Sequence, residues 1–245
     1  MKELRIDRIL ANMGWGSRTE IKKMLKKGQV SVDGEIVKDP ALKVRPDQQC
    51  IKIDGEIVNY REYIYLMLNK PAGYVSATED LREATVLDLL NGAELAFDPF
   101  PVGRLDKDTE GLLLLTNDGK LAHILTSPRK KIPKRYYALI KGEVDASDQE
   151  AFRRGVVLDD GYKTLPAQLE IIKSGQRSEV EVVICEGKYH QVKRMFRARG
   201  KEVLYLRRLS MGPLELDPKL QPGQYRELTA DELADLKALE QLPTI

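Results

Sequence analysis

The stretch GRLDKDTEGLLLLTNDG, residues 103–119, sets Asp106, Asp108 and Glu110 at alternate positions behind Arg104, directly before four leucines. A carboxylate at the edge of an apolar strand stays ionised only with a cation close by. Calcium is one such cation, and DKDTEG opens as an EF-hand loop does. The twelfth position, which should carry a bidentate glutamate, is Asn117, and Leu112–Leu115 occupy the places of further oxygen ligands, so the calcium reading fails. Arg104, two residues before Asp106, is the nearest cation in sequence. Such a triplet serves either as a structural ion pair or as a means of holding one functional carboxylate. With Asp108 or Glu110 as a second acid, Asp106 would instead suit glycosidic-bond hydrolysis, which needs two carboxyl groups at a set separation. Asn117, Asp118 and Gly119 read as a turn.

Positioning these groups falls to two kinds of sequence. Ile6, Ile9, Leu10 and Met13 recur at helical spacing, with Gly14 as the stop. Ser17 and Glu20 form a capping box for a second helix, whose apolar face is Ile21, Met24 and Leu25 and which ends at Gly28. Lys22, Lys23, Lys26 and Lys27 lie on its other face. VSVDGEIV (30–37) and IKIDGEIV (51–58) alternate around Asp-Gly and predict two hairpins. The polar run NYRE marks a boundary, giving a domain of residues 1–59 and a second of 60–245. The second domain predicts strands at YIYLMLNKPAGYVSA, interrupted at the Asn-Lys-Pro-Ala-Gly turn, and at RYYALIKGEV, SEVEVVI and EVLYLRRL. Its helices are one opening at Ser147 with SDQE as the capping box, HQVKRMFRARG ended by Gly200, and one opening with TADE. The fold class is α+β, with strands outnumbering helices and no repeated βαβ units.

The net charge of +2 hides separated stripes. Lys2–Lys27 holds eight Lys/Arg against three acids; PRKKIPKR and GKYHQVKRMFRARGK hold no acid. The acids gather in 79–118 and after Glu215. This distribution fits a polyanion partner, or equally a set of unrelated solvated faces. No run approaches the length of a membrane helix, no apolar signal core opens the chain, and two cysteines without CxxC spacing point to a reducing compartment. The expectations are a cytoplasmic protein without membrane contact, metal or cofactor. No exposed apolar stripe asks for a partner copy, so a monomer is expected.

GRLDKDTEGLLLLTNDG resembles the signature of the pseudouridine synthases, in the branch that modifies ribosomal RNA at a single uridine. LNKPAGYVSA and EGKYHQVKRMF resemble that branch's other blocks, in the same order, and residues 4–58 resemble its S4-like RNA-binding domain. GKYHQVKRM leans towards the enzymes of the small ribosomal subunit. The resemblance implies a small S4-like α/β domain, then a catalytic domain built on a mixed, largely antiparallel sheet with flanking helices. It implies isomerisation of a uridine in 16S rRNA, of the position-516 type, with Asp106 as the essential carboxylate. It places the active-site tyrosine at Tyr136, in KRYYAL, and the cation paired with Asp106 at Lys193, where many relatives have arginine. Arg194 offers the planar fork that Lys193 lacks. Arg104 completes the supporting set.

The chemistry breaks the uridine's glycosidic bond, turns the base and joins C5 to C1′, with no redox step and no energy input. A base inside folded RNA must be extruded first. The candidate grip is Arg5, Arg18, Lys22, Lys23, Lys26 and Lys27 in the first domain and Arg129, Lys130 and Lys131 beside the active site. The partner expected is ribosomal RNA, free or in a pre-ribosomal particle. The alternatives are a large-subunit (23S) rRNA synthase, a non-enzymatic ribosome-assembly factor in which Asp106 is structural, and the hydrolase above.

Overall fold

Two Asp-Gly turns shape the first part of the chain. Asp33 and Asp54 take φ of 52° and 48°, followed by Gly34 and Gly55 at 89° and 88°, the backbone of the tight hairpin turn that matches strand twist. The computed structural model describes residues 3–241, which fall into two compact units. Lys2 of the basic N-terminal stretch lies outside the described residues.

The first unit is Met1–Ile64 together with Leu90–Pro99. In it β1 (Leu4–Arg5) leads into α1 (Ile6–Asn12), and α2 (Arg18–Lys27) follows. The Ser17–Glu20 capping box forms, and Gly28 closes α2 in the left-handed conformation at φ 75°. The hairpins are β2 (Val30–Val32) with β3 (Glu35–Ile36), and β5 (Ile51–Ile53) with β6 (Glu56–Ile57); β4 (Lys43–Val44) pairs β1. The hairpins join through β2 and β5 in a sheet ordered β3-β2-β5-β6. Ile6, Ile9, Leu10, Ile21, Leu25, Val30 and Ile51 form a core that leaves the lysine face of α2 in solvent. The short helix α3 (Gly92–Leu95) also belongs to this unit, by a return of the chain that no local pattern announces.

The second unit is Tyr65–Leu89 with Phe100–Ile245. Its strands are β7 (Tyr65–Lys70), β8 (Phe100–Pro101), β9 (Glu110–Thr116), β10 (Lys134–Lys141), β11 (Gln168–Lys173), β12 (Arg177–Ile184), β13 (Glu202–Met211), β14 (Leu214–Glu215) and β15 (Tyr225–Glu227). The main order is β11-β12-β10-β13-β9-β7-β15, with β8 on β9 and β14 on β13. These strands pair antiparallel except β13 with β9, a seam of two residue pairs, Arg207 with Glu110 and Arg208 with Gly111. A Cβ on Gly111 would stand 2.2 Å from Arg208 O, and its φ is 99°, so this close approach needs glycine. Leu112–Leu115 are all 0% exposed, which accounts for the unbroken leucine run: a strand covered on both faces has no polar side.

The helices are α4 (Gly119–Thr126), α5 (Ala146–Arg154), α6 (Gln191–Ala198) and α7 (Ala230–Ala238). The TADE box forms at Thr229 and Glu232. Two local readings are corrected. Asn-Asp-Gly is not a plain turn: Asp118 is the N-cap of α4, accepting from the Lys120 and Leu121 amides, and its other oxygen accepts from the Tyr65 hydroxyl at 2.8 Å. The α5 cap is Asp145 with Asp148, not Ser147, because an aspartate two residues earlier captures the same first-turn amides. Among the described residues no helix is long and apolar enough to cross a membrane.

Candidate active site

The acid loop is held by the end of β7 and the segment that follows it. Lys70 is fully buried, and its ammonium donates to the carbonyls of Pro71, Lys107 and Thr109 at 2.9, 3.3 and 2.8 Å. Gly73 N–H donates to Lys107 O at 2.8 Å. Ser76 Oγ donates to Leu105 O at 2.9 Å and accepts from Leu105 N–H at 3.0 Å, gripping both sides of the residue before Asp106. A turn at Asp106 O closes on Thr109 N–H. The loop is thus a rigid extension of β9, which gives its carboxylate a fixed position. Burial drives the Lys70 ammonium down to about 8, against the pull of Asp108, Glu110 and Asp106.

Asp106 takes its cation from α6. Lys193 Nζ lies 3.3 Å from Asp106 Oδ2 and 2.5 Å from Asp108 Oδ1, so one ammonium bridges two carboxylates. Burial pushes the Asp108 carboxyl up, but the hydrogen bond and charge of Lys193 prevail and leave it lowered. Arg104 is not the partner expected from its spacing: Leu105 is the buried member of the triplet, and Arg104 is exposed at the mouth of the site. Arg194 does not supply a fork to Asp106 either; it pairs with Asp159 and Asp160, on the next side of the helix.

His190 is a residue of the cavity wall that the sequence reading did not single out. Its Nε2 stands 3.4 Å from Asp106 Oδ1, and its ring stacks on Tyr189 with centroids 3.8 Å apart. The loop before α6 is fastened by Glu186, which is buried and accepts from Tyr162 OH, Leu165 N–H and Gln191 Nε2 at 2.7, 2.8 and 2.8 Å. His190 adopts φ 48°, a left-handed conformation uncommon outside glycine. The only forward signal was its place beside the basic helix.

Arg104, Asp106 and Tyr136 line one cavity of about 360 Å³, with Lys134, Glu186, Lys188, Tyr189, His190 and Arg208 around them. Tyr136 is 7% exposed and lines the cavity from near the start of β10, in register with Arg208 of β13. The chamber thus joins a carboxylate from one side of the seam to an aromatic ring from the other. The carboxylates near Asp106 are all engaged by other groups: Asp108 is exposed and tied to the same lysine, Glu110 accepts from the Tyr205 hydroxyl at 2.6 Å, and Glu186 is committed to its three donors.

The basic candidates divide. Arg18, Lys22, Lys23, Lys26 and Lys27 are exposed on α2. Arg5 makes a two-pronged pair with Asp7, Nε to Oδ1 at 3.0 Å and Nη2 to Oδ2 at 2.7 Å. Arg129 and Lys131 are exposed and Lys130 half-buried on the short turn after α4, which also supplies Ser127 and Pro128 to the cavity wall.

With this geometry in hand, known proteins bear on the chain. The RNA pseudouridylate synthase family matches residues 64–198 and the S4 domain family matches residues 4–50. An uncharacterized RNA pseudouridine synthase of Bacillus subtilis (strain 168) is 54% identical over 94% of this chain and 97% of its own. The ribosomal small subunit pseudouridine synthase A of Escherichia coli (strain K12) is 39% identical over 95% of this chain and 100% of its own. A crystal structure described as a pseudouridylate synthase superposes with a TM-score of 0.67 at 36% identity, covering 95% of this chain and 99% of that one.

Proposed function

This chain belongs to the RNA pseudouridylate synthase family, with an S4 domain ahead of the synthase fold, and we propose that it isomerises one uridine of small-subunit ribosomal RNA, with Asp106 as the essential carboxylate. The observation that carries the reading is the placement of Asp106: it lies in the same cavity as Tyr136, on a loop tied down by Lys70, Gly73 and Ser76, and is paired to Lys193. The target is a 16S uridine of the position-516 type.

In this reading residues 1–59 capture the RNA and residues 60–245 carry the chemistry. Arg5, Arg18, Lys22, Lys23, Lys26 and Lys27 contact phosphates, as do Arg129, Lys130 and Lys131 beside the cavity; such contacts position the RNA without reading its sequence. The target nucleotide turns out of its stack into the cavity, and unstacking costs a few kcal/mol, which these contacts offset. Tyr136 stacks against the base. Asp106 meets C1′ as positive charge develops there, by bonding to it or by stabilising it. The base turns within the chamber, C5 joins C1′, and the C5 proton departs. The protein acts as a cytoplasmic monomer on ribosomal RNA, free or within a pre-ribosomal particle.

The test is tritium release from C5-labelled uridine in a small-subunit rRNA transcript, alone and partly assembled with ribosomal proteins. Release by wild type at unchanged RNA length, and none by an Asp106→Asn variant that folds and binds RNA, is the expected result. Release from large-subunit RNA alone would move the target. Tight binding with no release from either RNA would leave an assembly factor, and free uracil as product would leave a hydrolase.

A further inference from the structure

Among the basic groups that line the cavity outside its ion pairs are Lys134 and Arg208, both on the sheet. Lys134 and Tyr136 are two residues apart on β10, hence on one face of the sheet, and Arg208 stands beside Tyr136 on β13. All three line the cavity with Asp106. Arg208 is 2% exposed; its Nε donates to Leu112 O at 2.7 Å, while its buried Nη2 has no hydrogen-bond partner. Lys134 donates to Ile132 O at 2.9 Å. Among the described residues no carboxylate pairs with either cation.

Two neighbouring cations without counter-charge, one with a buried donor unsatisfied, are an unfavourable arrangement by themselves. Burial and the charge of Arg208 push Lys134 down to about 8. The arrangement becomes favourable when something negative enters. A backbone phosphate stays in the hydrated groove at the surface, whereas an extruded nucleotide sends its base deepest. The base reaching the buried Arg208 is uracil, whose outward-facing acceptors are O2 and O4.

We propose that Lys134 and Arg208 hydrogen-bond the carbonyl oxygens of the extruded uracil and stabilise the negative charge it bears after the glycosidic bond breaks. This inference rests on the synthase reading above. When C1′–N1 breaks, its electron pair stays with the base, which becomes a uracilate with charge spread over N1, O2 and O4. C1′ is left electron-poor beside Asp106. Attack by C5 on C1′ spends that charge in the new bond; the C5 proton then leaves and N1 gains one, so the product is an isomer with no net proton change. The two cations supply fixed donors where charge develops, and they keep the detached base inside the cavity while it turns.

The experiment compares wild type with Lys134→Met and Lys134→Arg under single-turnover conditions, with RNA affinity measured separately. Lys134→Met is expected to lower tritium release about 100-fold at saturating RNA while the Kd stays within about 3-fold, and Lys134→Arg to recover most of the rate. The same variants are run on RNA carrying 5-fluorouridine at the target, following its disappearance from nuclease digests. Fluorine makes the leaving base less basic, so the Lys134→Met defect should shrink at least about 10-fold there. An unchanged rate at saturation with weakened, less salt-dependent binding would make Lys134 a phosphate contact and overturn the proposal. An equal defect on both substrates would overturn it too. Arg208→Lys, which keeps the charge but loses the fork, should show the same substrate dependence if it folds. A wild-type enzyme inert on ribosomal RNA would instead be a failure of the synthase reading, and this inference would fall with it.

Discussion

Lys193 Nζ sits 3.3 Å from Asp106 Oδ2 while holding Asp108 Oδ1 at 2.5 Å, so the cation paired with Asp106 is shared with a carboxylate in solvent. An ammonium can serve two acids in this way because its charge is compact and its three donors diverge. Removing it leaves Asp106 unsteered in the cavity. Lys193→Met should lower the single-turnover rate about 100-fold, and Asp108→Asn, which leaves Lys193 to Asp106 alone, should stay within about 3-fold of wild type. Equal losses in the two variants would contradict this assignment.

The Ser76 hydroxyl holds the backbone on both sides of Leu105. Ser76→Ala removes both bonds and leaves a partly buried N–H and C=O to find water. Urea denaturation should show a loss of about 1–2 kcal/mol. The rate should fall about 10-fold with RNA affinity unchanged, because the carboxylate drifts from its position while the grip on the RNA stays whole. A rate loss accompanied by an equal loss of binding would speak against a positioning role.

Lys70 makes stability depend on pH in a defined window. Its folded value is about 8 against 10.5 when unfolded, so below pH 8 both states are protonated and burial of the ammonium costs about 3 kcal/mol. Between pH 8 and 10.5 the unfolded chain binds more protons, and stability rises with pH. The difference in unfolding free energy between wild type and Lys70→Met should therefore move in favour of wild type from pH 8 to 10 and stay flat from 6 to 7.5. A flat difference throughout would show that Lys70 is not desolvated in solution.

The exposed face of α2 should act only on capture. Replacing Lys22, Lys23, Lys26 and Lys27 by Gln should weaken RNA binding and reduce the slope of log K against log salt by about 0.7 for each phosphate no longer neutralised. The rate at saturating RNA should not change. A reduced slope combined with a slower saturated rate would mean that this face also helps to present the base.

Local order was legible where one residue type has one physical use. Asp-Gly fixed the hairpins, Ser17 with Glu20 fixed the start of α2, and the unbroken leucines marked a strand buried on both faces. Asp118 was misread because Asn-Asp-Gly serves a turn and a helix start equally well, and the choice depended on Tyr65, fifty-three residues away. The site was legible as three blocks, but not as contacts. Nothing local connects Lys70 or Ser76 with the acid loop, or separates Lys193 from Arg194; adjacent residues on a helix point about 100° apart, and only the position of α6 decides which meets Asp106. His190 stayed hidden because its backbone is left-handed, at φ 48°, which a histidine in sequence does not announce.

The two-pair seam at Gly111 has a mechanical consequence. Asp106 precedes β9 on one side of it, while Tyr136 and Lys193 belong to the strands and helix on the other, so the width of the reaction chamber is a sheet dimension rather than a loop setting. Alanine at 111 would act as a spacer of about one methyl group driven between two girders. It would widen the jaws at Asp106 and Lys193 without touching either, and leave an enzyme with every working part present but out of gauge.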